Sequence, residues 1–241
     1  MRMMEKWADL LFPPALYCDC CGKYIDKTRT YSLCDHCIRR MNFSATDLSQ
    51  EENMDCFKHA IGVMGYGLYE KQLILSLKYG GKTYLARTMA DIIYDSMTEA
   101  FFVKGEKWCF KSELIIPVPI HPRRLKERGF NQSEKIGFYL GKKLGVGVLG
   151  DALLRVKNTE AQRSLSPQDR KVNLEGAFSI NERKKSLVEG KRVLLIDDIY
   201  TTGATASRCG EILKAAGASE VDFIAFSSAK NKHHEFYACK D

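Results

Sequence analysis

Val193-Leu-Leu-Ile-Asp197-Asp198-Ile-Tyr-Thr201-Thr202-Gly203-Ala204-Thr205 decides how this chain is read. The apolar run ahead of Asp197 has no polar face, the pattern of a parallel strand buried on both sides. Two carboxylates stand at its carboxyl end, followed by a loop of hydroxyls with one glycine. A helix is predicted from about Ala204 to Ala216. Such a junction points the free amides of the loop and first helical turn in one direction, backed by the positive end of the helix dipole. Gly203 lets the backbone approach a ligand, and the hydroxyls of Thr201, Thr202 and Thr205 can donate to phosphate oxygens. Asp197 and Asp198 cannot face the same phosphate, so they call for sugar hydroxyls or a bound Mg²⁺. A ribose 5-phosphate meets every requirement. An ordinary strand–turn–helix would use Asp198 or Thr201 as a cap, which does not require the whole run.

Working outward, the same alternation continues. Ile61 to Gly67 and Leu114-Ile-Ile-Pro-Val-Pro119 read as strands, the second ended by proline. Helices are predicted over Glu70 to Lys78, Leu85 to Phe102 and Gln132 to Leu144, the last leaving through the glycine-rich stretch from Gly145 to Gly150. Leu153 to Val156 reads as a strand, Ser166-Pro167 as a helix start, and Val221 to Phe226 as the final strand. Asn42 to Asp55 reads as a polar connection. The pattern predicts an α/β fold with a mostly parallel sheet flanked by helices.

The chain has 241 residues and a net charge of +7, of which +6 falls between residues 111 and 170. The densest part is His121-Pro-Arg-Arg-Leu-Lys-Glu-Arg-Gly-Phe-Asn131, which holds Arg123, Arg124, Lys126 and Arg128. A solvated loop is the bland reading. Its place after an apolar strand favours an anion site instead, because α/β sheets bind ligands beyond the carboxyl ends of their strands. Phosphate is the obvious anion. With 45% hydrophobic and 28% charged residues, wholesale disorder is excluded. No apolar run reaches the roughly 18 to 20 residues of a membrane span. The first fourteen residues hold too short an apolar stretch for a signal peptide, and Asp9 interrupts it, so a cytoplasmic location is expected.

Five of the nine cysteines fall between positions 18 and 37. Cys18-x2-Cys21 and Cys34-x2-Cys37 are knuckle pairs separated by twelve residues. Each pair can set two thiolates on one side of a tight turn, and two pairs complete a tetrahedron around zinc. Gly22 suits the positive φ of such a turn. Disulfides compete with this reading only in an oxidising compartment. Four thiolates fill the coordination sphere, so the metal is expected to be structural, supporting a region too small for its own core. Cys20 is an alternative to Cys21, and His36 has to face away from a metal bound on both sides of it. Cys56, Cys109, Cys209 and Cys239 are isolated.

With these residues in view, the sequence resembles the phosphoribosyl pyrophosphate motif of the type I phosphoribosyltransferases and, more closely, the ComF family. The resemblance covers nearly the whole chain. It includes Leu11-Phe-Pro-Pro14 and the four-cysteine finger, Pro117-Val-Pro-Ile-His-Pro-Arg-Arg-Leu-Lys-Glu-Arg-Gly-Phe-Asn-Gln132, Arg155-x-Lys-Asn-Thr-x-x-Gln-Arg-Ser-Leu165, and Arg170-x-x-Asn-x-x-Gly-Ala-Phe178. Tyr200 departs from the small aliphatic residue usual in phosphoribosyltransferases but fits the ComF version. The resemblance implies a zinc-finger module over 1–42 and a phosphoribosyltransferase-like domain over 56–241. It implies that Asp197 and Asp198 bind ribose hydroxyls, that Thr201, Thr202, Gly203, Ala204 and Thr205 bind the 5-phosphate, and that Mg²⁺ accompanies the diphosphate. The loop after Pro119 is then the pyrophosphate loop, with Arg123, Arg124 and Arg128 neutralising the diphosphate. A flexible loop from about Arg155 to Phe178 closes over the site, bringing Arg155, Lys157, Arg163 and Arg170.

The function so implied is binding of phosphoribosyl pyrophosphate and single-stranded DNA in support of DNA uptake during natural transformation, with proteins of the uptake machinery as further partners. Phe130 and Tyr200 are the expected stacking residues for a strand. The alternative is an active phosphoribosyltransferase moving ribose 5-phosphate to an unidentified base or amine. The tail from Lys230 offers no clear base-binding hood, and His233 and His234 read as solvated.

Overall fold

The structure is a computed structural model that describes residues 16–26, 31–98, 102–103, 106–107, 111–157 and 176–230. Its frame is a six-stranded sheet in the order β1-β2-β10-β9-β5-β6, made of β1 (Thr46–Asp47), β2 (Ala60–Gly65), β5 (Leu114–Pro117), β6 (Gly147–Val148), β9 (Arg192–Tyr200) and β10 (Glu220–Ser228). All neighbours are parallel except the edge pair of β1 with β2. Two small antiparallel pairs lie apart from it: β3 (Phe102–Val103) with β4 (Glu106–Lys107), and β7 (Leu153–Arg155) with β8 (Phe178–Ile180).

The long central strands β9 and β10 are apolar on both faces because both faces are covered. Leu194, Ile196, Ile224 and Phe226 face a core shared with α3 (Leu85–Thr98) and α5 (Gln132–Leu144). Val193, Leu195, Val221 and Phe223 face a second core with Val188 of the short helix α6 (Lys185–Val188) and Leu213 of α7 (Ala204–Ala215). Gly137 brings α5 close to the sheet, since a Cβ there would stand 3.3 Å from both Ile115 and Ile196. The alternation expected from the sequence is therefore present, with shifted ends. The first parallel strand stops at Gly65, its helix α2 runs Leu68–Tyr79, and Phe102, expected at the end of α3, stands in β3.

Two expectations need correction. The basic run after Pro119 is not a loop: Pro122–Arg128 forms a seven-residue helix, α4. His121 caps it by accepting from the Arg123 amide at 3.2 Å, Pro122 fills the first helical position, and Gly129 ends it at φ 82°. The connection from Asn42 to Asp55 is not merely polar, because Leu48 and Met54 are wholly buried in it. The predicted helix start at Ser166-Pro167, and Arg163, Arg170, His233 and His234, lie outside the described residues.

The cysteine-bearing segment, with its short helix α1 (Asp35–Ile38), docks on α2 and α3. Ile25, Leu33, Cys37 and Met41 enter the same core as Leu73, Ile74 and Leu77. Asp19 accepts from Thr88 Oγ1 at 2.5 Å, and burial pushes its carboxyl up to about 6. Gln72 Nε2 donates to the Cys20 carbonyl at 2.9 Å. The junction is fastened by Glu70, which is fully buried and accepts from the amides of Asn42 (2.6 Å) and Gly67 (3.0 Å). Glu70→Ala strands both donors, and a loss of about 3 kcal/mol is expected in urea unfolding. Glu70→Gln, which keeps one acceptor oxygen, should cost less.

Candidate functional site

The carboxyl end of β9 places the acidic pair. Register alone sets Ile196 beside Pro117, so β5 leaves the sheet next to Asp197. Asn131 returns the chain there: its Nδ2 donates to the Val118 carbonyl at 3.0 Å, and its Oδ1 accepts from the Ser133 amide at 3.1 Å, capping α5. That cap aims the next two side chains at the carboxylates. Ser133 Oγ donates to Asp197 Oδ1 at 2.8 Å, and Gln132 Nε2 donates to Asp198 Oδ1 at 3.2 Å.

The two aspartates differ in exposure. Asp197 is partly open, and burial together with the neighbouring Asp198 raises its carboxyl to about 7. Asp198 is buried, and Lys78 Nζ from the end of α2 lies 2.6 Å from its Oδ2. Nothing in the local spacing announced Lys78, Gln132 or Ser133, which meet β9 from positions 64 to 120 residues away.

The turn after the acids has an open helix end. Gly203 is the cap residue of α7 at φ 76°, and having no side chain it leaves the first-turn amides without a cap of its own. The cap position belongs to Gly203, while the Asp198 oxygens are engaged by Lys78 and Gln132. A Cβ at Gly203 would come within 2.9 Å of the Tyr200 ring and 3.2 Å of Met54 Sδ. Only glycine fits that conformation over those neighbours. Thr201 and Thr202 are exposed, while Ala204 and Thr205 are half-buried. Tyr200 itself corrects an expectation. Strand β9 extends through it, and its ring is buried, 6.2 Å from the ring of Phe223, so it offers no stacking surface.

Beside Lys78, the partner of Asp198, a cleft of about 370 Å³ is lined by Lys78, Tyr79, Gly81, Arg124, Glu127, Arg128 and Phe130, with the Glu127 carboxylate paired to Arg123. Helix α4 thus brings Arg124 and Arg128 toward the acidic pair. Arg123 is turned out, 3.0 Å from Glu127. Arg128 bonds to Gln132 Oε1 and lies with its guanidinium carbon 5.3 Å from the Tyr79 ring centre. Arg155, from β7, is held below its ordinary value by burial and by Arg124, while Asp197 acts in the opposite sense. Of the cations expected from the closing loop, Arg155 thus comes under the influence of Arg124 and Asp197; residues 158–175 lie outside the described residues.

The four-cysteine cluster is a second, separate site. The sulfurs of Cys18, Cys21, Cys34 and Cys37 all lie within 4.8 Å of one another. A tetrahedron of thiolates around zinc has sulfur–sulfur edges of about 3.8 Å, from Zn–S bonds near 2.3 Å. The Cys21–Cys34 separation is 3.6 Å, and the Cys34 amide donates to Cys18 Sγ at 3.2 Å, so the donor set fits a metal such as zinc. Gly22 takes φ 74° in the first knuckle. Cys20 turns away, its Sγ 3.8 Å from Gln72 Oε1, and His36 packs its ring edge on Tyr69.

The family model described as the phosphoribosyl transferase domain matches residues 149–239, the part that contains β9, the acidic pair and α7. Competence protein F of Haemophilus influenzae is 30% identical over 217 residues, covering 88% of this chain and 90% of that protein. Competence protein ComFC of Streptococcus pneumoniae is 28% identical over 78% of each chain. DNA utilization protein YhgH of Salmonella typhimurium is 30% identical over 62% of this chain and 63% of its own length. No helix among the described residues is long and apolar enough to cross a membrane.

Proposed function

Since the chain belongs to the competence protein F family and carries a phosphoribosyl transferase domain, we propose that it binds phosphoribosyl pyrophosphate and single-stranded DNA and so supports DNA uptake into the cytoplasm. The observation that carries this is the glycine-started amino end of α7, which follows two carboxylates, one of them paired with Lys78 of the arginine-lined cleft. The 5-phosphate takes the amides and hydroxyls from Thr201 to Thr205, where the helix dipole favours an anion. Ribose hydroxyls donate to Asp197 and, once Lys78 gives way, to Asp198. The diphosphate, with Mg²⁺, goes to Arg124 and Arg128. Arg123 takes no part in this arrangement unless its pairing with Glu127 opens.

A single strand would be held by the same cations, because its phosphates need the same charge-assisted contacts. The names of the relatives support a DNA-handling role: competence for two of them, DNA utilization for the third. Zinc at Cys18, Cys21, Cys34 and Cys37 braces the fold.

Calorimetric titration with phosphoribosyl pyrophosphate and Mg²⁺, repeated with a short oligonucleotide present, tests both halves. Binding is expected, weakened several-fold by the oligonucleotide through competition for Arg124 and Arg128. Absence of any heat with phosphoribosyl pyrophosphate overturns the reading. Release of pyrophosphate dependent on an added base or amine would establish the transferase alternative.

A further inference from the structure

The cleft beside the acids has a feature that phosphate binding does not need. Tyr79, the last residue of α2, is 76% exposed. A lone exposed tyrosine is ordinary. This one belongs to a closed circuit of contacts. Its ring lies 5.3 Å from the Arg128 guanidinium carbon, Arg128 bonds to Gln132, Gln132 to Asp198, and Asp198 to Lys78, the residue next to Tyr79. The ring is thereby fixed to the sheet through buried groups, while most of its surface faces water. Gly81, two residues on, leaves open space beside it: a Cβ at that position would meet nothing within 4 Å.

We propose that Tyr79 is the nucleobase platform for a single-stranded nucleic acid, one base lying on its ring while the flanking phosphates bind Arg124 and Arg128. This rests on the single-strand reading above and goes beyond it, by giving the strand a stacking residue in place of buried Tyr200. The chemistry is general. Every base has a π-face, so an aromatic ring set among cations grips a strand without reading its sequence. Holding ring and guanidinium in place beforehand lowers the ordering cost of binding. Phe130 lines the same cleft but is half-buried, leaving Tyr79 as the broad surface.

Fluorescence anisotropy with a labelled oligothymidylate of roughly ten nucleotides, and with an abasic strand of equal length and charge, separates stacking from electrostatics. The unmodified protein is expected to prefer the strand that carries bases. Tyr79→Ala should weaken binding of that strand about tenfold, the size of one stacked base, and leave the abasic strand unchanged. Tyr79→Phe should restore the preference, and Tyr84→Ala, at a tyrosine 54% exposed, should not alter it. Equal loss on both strands, or no loss on either, overturns the platform while leaving single-strand binding intact. If the unmodified protein binds neither strand, the single-strand reading falls, and the platform with it.

Discussion

Asp197→Asn should remove binding of phosphoribosyl pyrophosphate, by roughly a hundredfold or more, while leaving the protein folded. The size follows from the bonds lost. A carboxylate accepting sugar hydroxyls makes charge-assisted hydrogen bonds of about 1.5 to 3 kcal/mol each, and every 1.4 kcal/mol is tenfold in affinity. The fold should tolerate the change because burial and Asp198 already hold Asp197 partly protonated near neutrality, at about 7. The amide resembles that protonated form and can still accept from Ser133. The sign of the pH effect is fixed by the raised value. The native state retains this proton over the range from the ordinary carboxylate value to about 7, so Asp197 destabilises the fold progressively as pH rises through that range, and Asp197→Asn should become relatively more stable over the same interval. Ligand binding runs the other way. Sugar hydroxyls need the ionised acceptor, so affinity should climb as pH rises toward 7 and level off above it. Calorimetry across that range checks this, and an unchanged profile in Asp197→Asn would show that some other group sets it.

Asp198→Asn should behave differently. It also removes ligand binding, but it breaks the buried ion pair with Lys78, and a cation left facing an amide in a buried setting costs about 3 to 5 kcal/mol. Loss of affinity together with loss of stability at 198, against loss of affinity alone at 197, is the expected contrast. Oligonucleotide binding should persist in Asp197→Asn, because Arg124, Arg128 and Tyr79 are untouched. If phosphoribosyl pyrophosphate binds Asp197→Asn as it binds the unmodified protein, the acidic pair does not hold the ribose.

The parts of this site that were legible in the sequence are those built by near neighbours. An apolar strand, two acids, a glycine and a helix within thirteen residues set their own geometry, and two cysteine pairs at fixed spacing set theirs. What stayed hidden is set by tertiary contact. Lys78 reads as the polar end of an amphipathic helix, and no local pattern pairs it with a residue 120 positions later. Gln132 and Ser133 open a helix that was predicted, yet only the return of Asn131 to Val118 shows that they face the acids. The α4 error has a different origin. Its seven residues bury nothing, so no apolar period exists to find, but Pro122 at the first position and Gly129 after the last were signals that charge density outweighed. Tyr200 was misplaced because the strand runs three residues past the first aspartate, carrying the ring into the core.

Removing the metal from the cysteine cluster should be the most damaging change available at the other end of the molecule. The expected content is one zinc per chain, and a strong chelator or Cys34→Ser should lower the melting temperature by about 10 °C or more. Structural zinc contributes binding energy directly to folding, and a few kcal/mol lost moves a chain of this length by roughly 2 to 4 °C per kcal/mol. The effect should not stay local. Cys37 and Leu33 are wholly buried, and with Ile25 and Met41 they cover Leu73, Ile74 and Leu77 of α2. Without a cation, burial and the crowded sulfurs push Cys37 up, so the cluster cannot carry four thiolates on its own. Unfolding of the knuckles then bares the face of α2 whose last two residues are Lys78 and Tyr79. Metal loss should therefore weaken phosphoribosyl pyrophosphate and strand binding as well, although no cysteine touches either ligand. Cys20→Ser separates the metal from general packing, since Cys20 is more deeply buried than Cys34 but has its Sγ near Gln72. It should keep its zinc and most of its melting temperature. Metal analysis that finds no zinc, or Cys34→Ser melting with the unmodified protein, would reject a structural metal and leave the cysteines as ordinary packing groups.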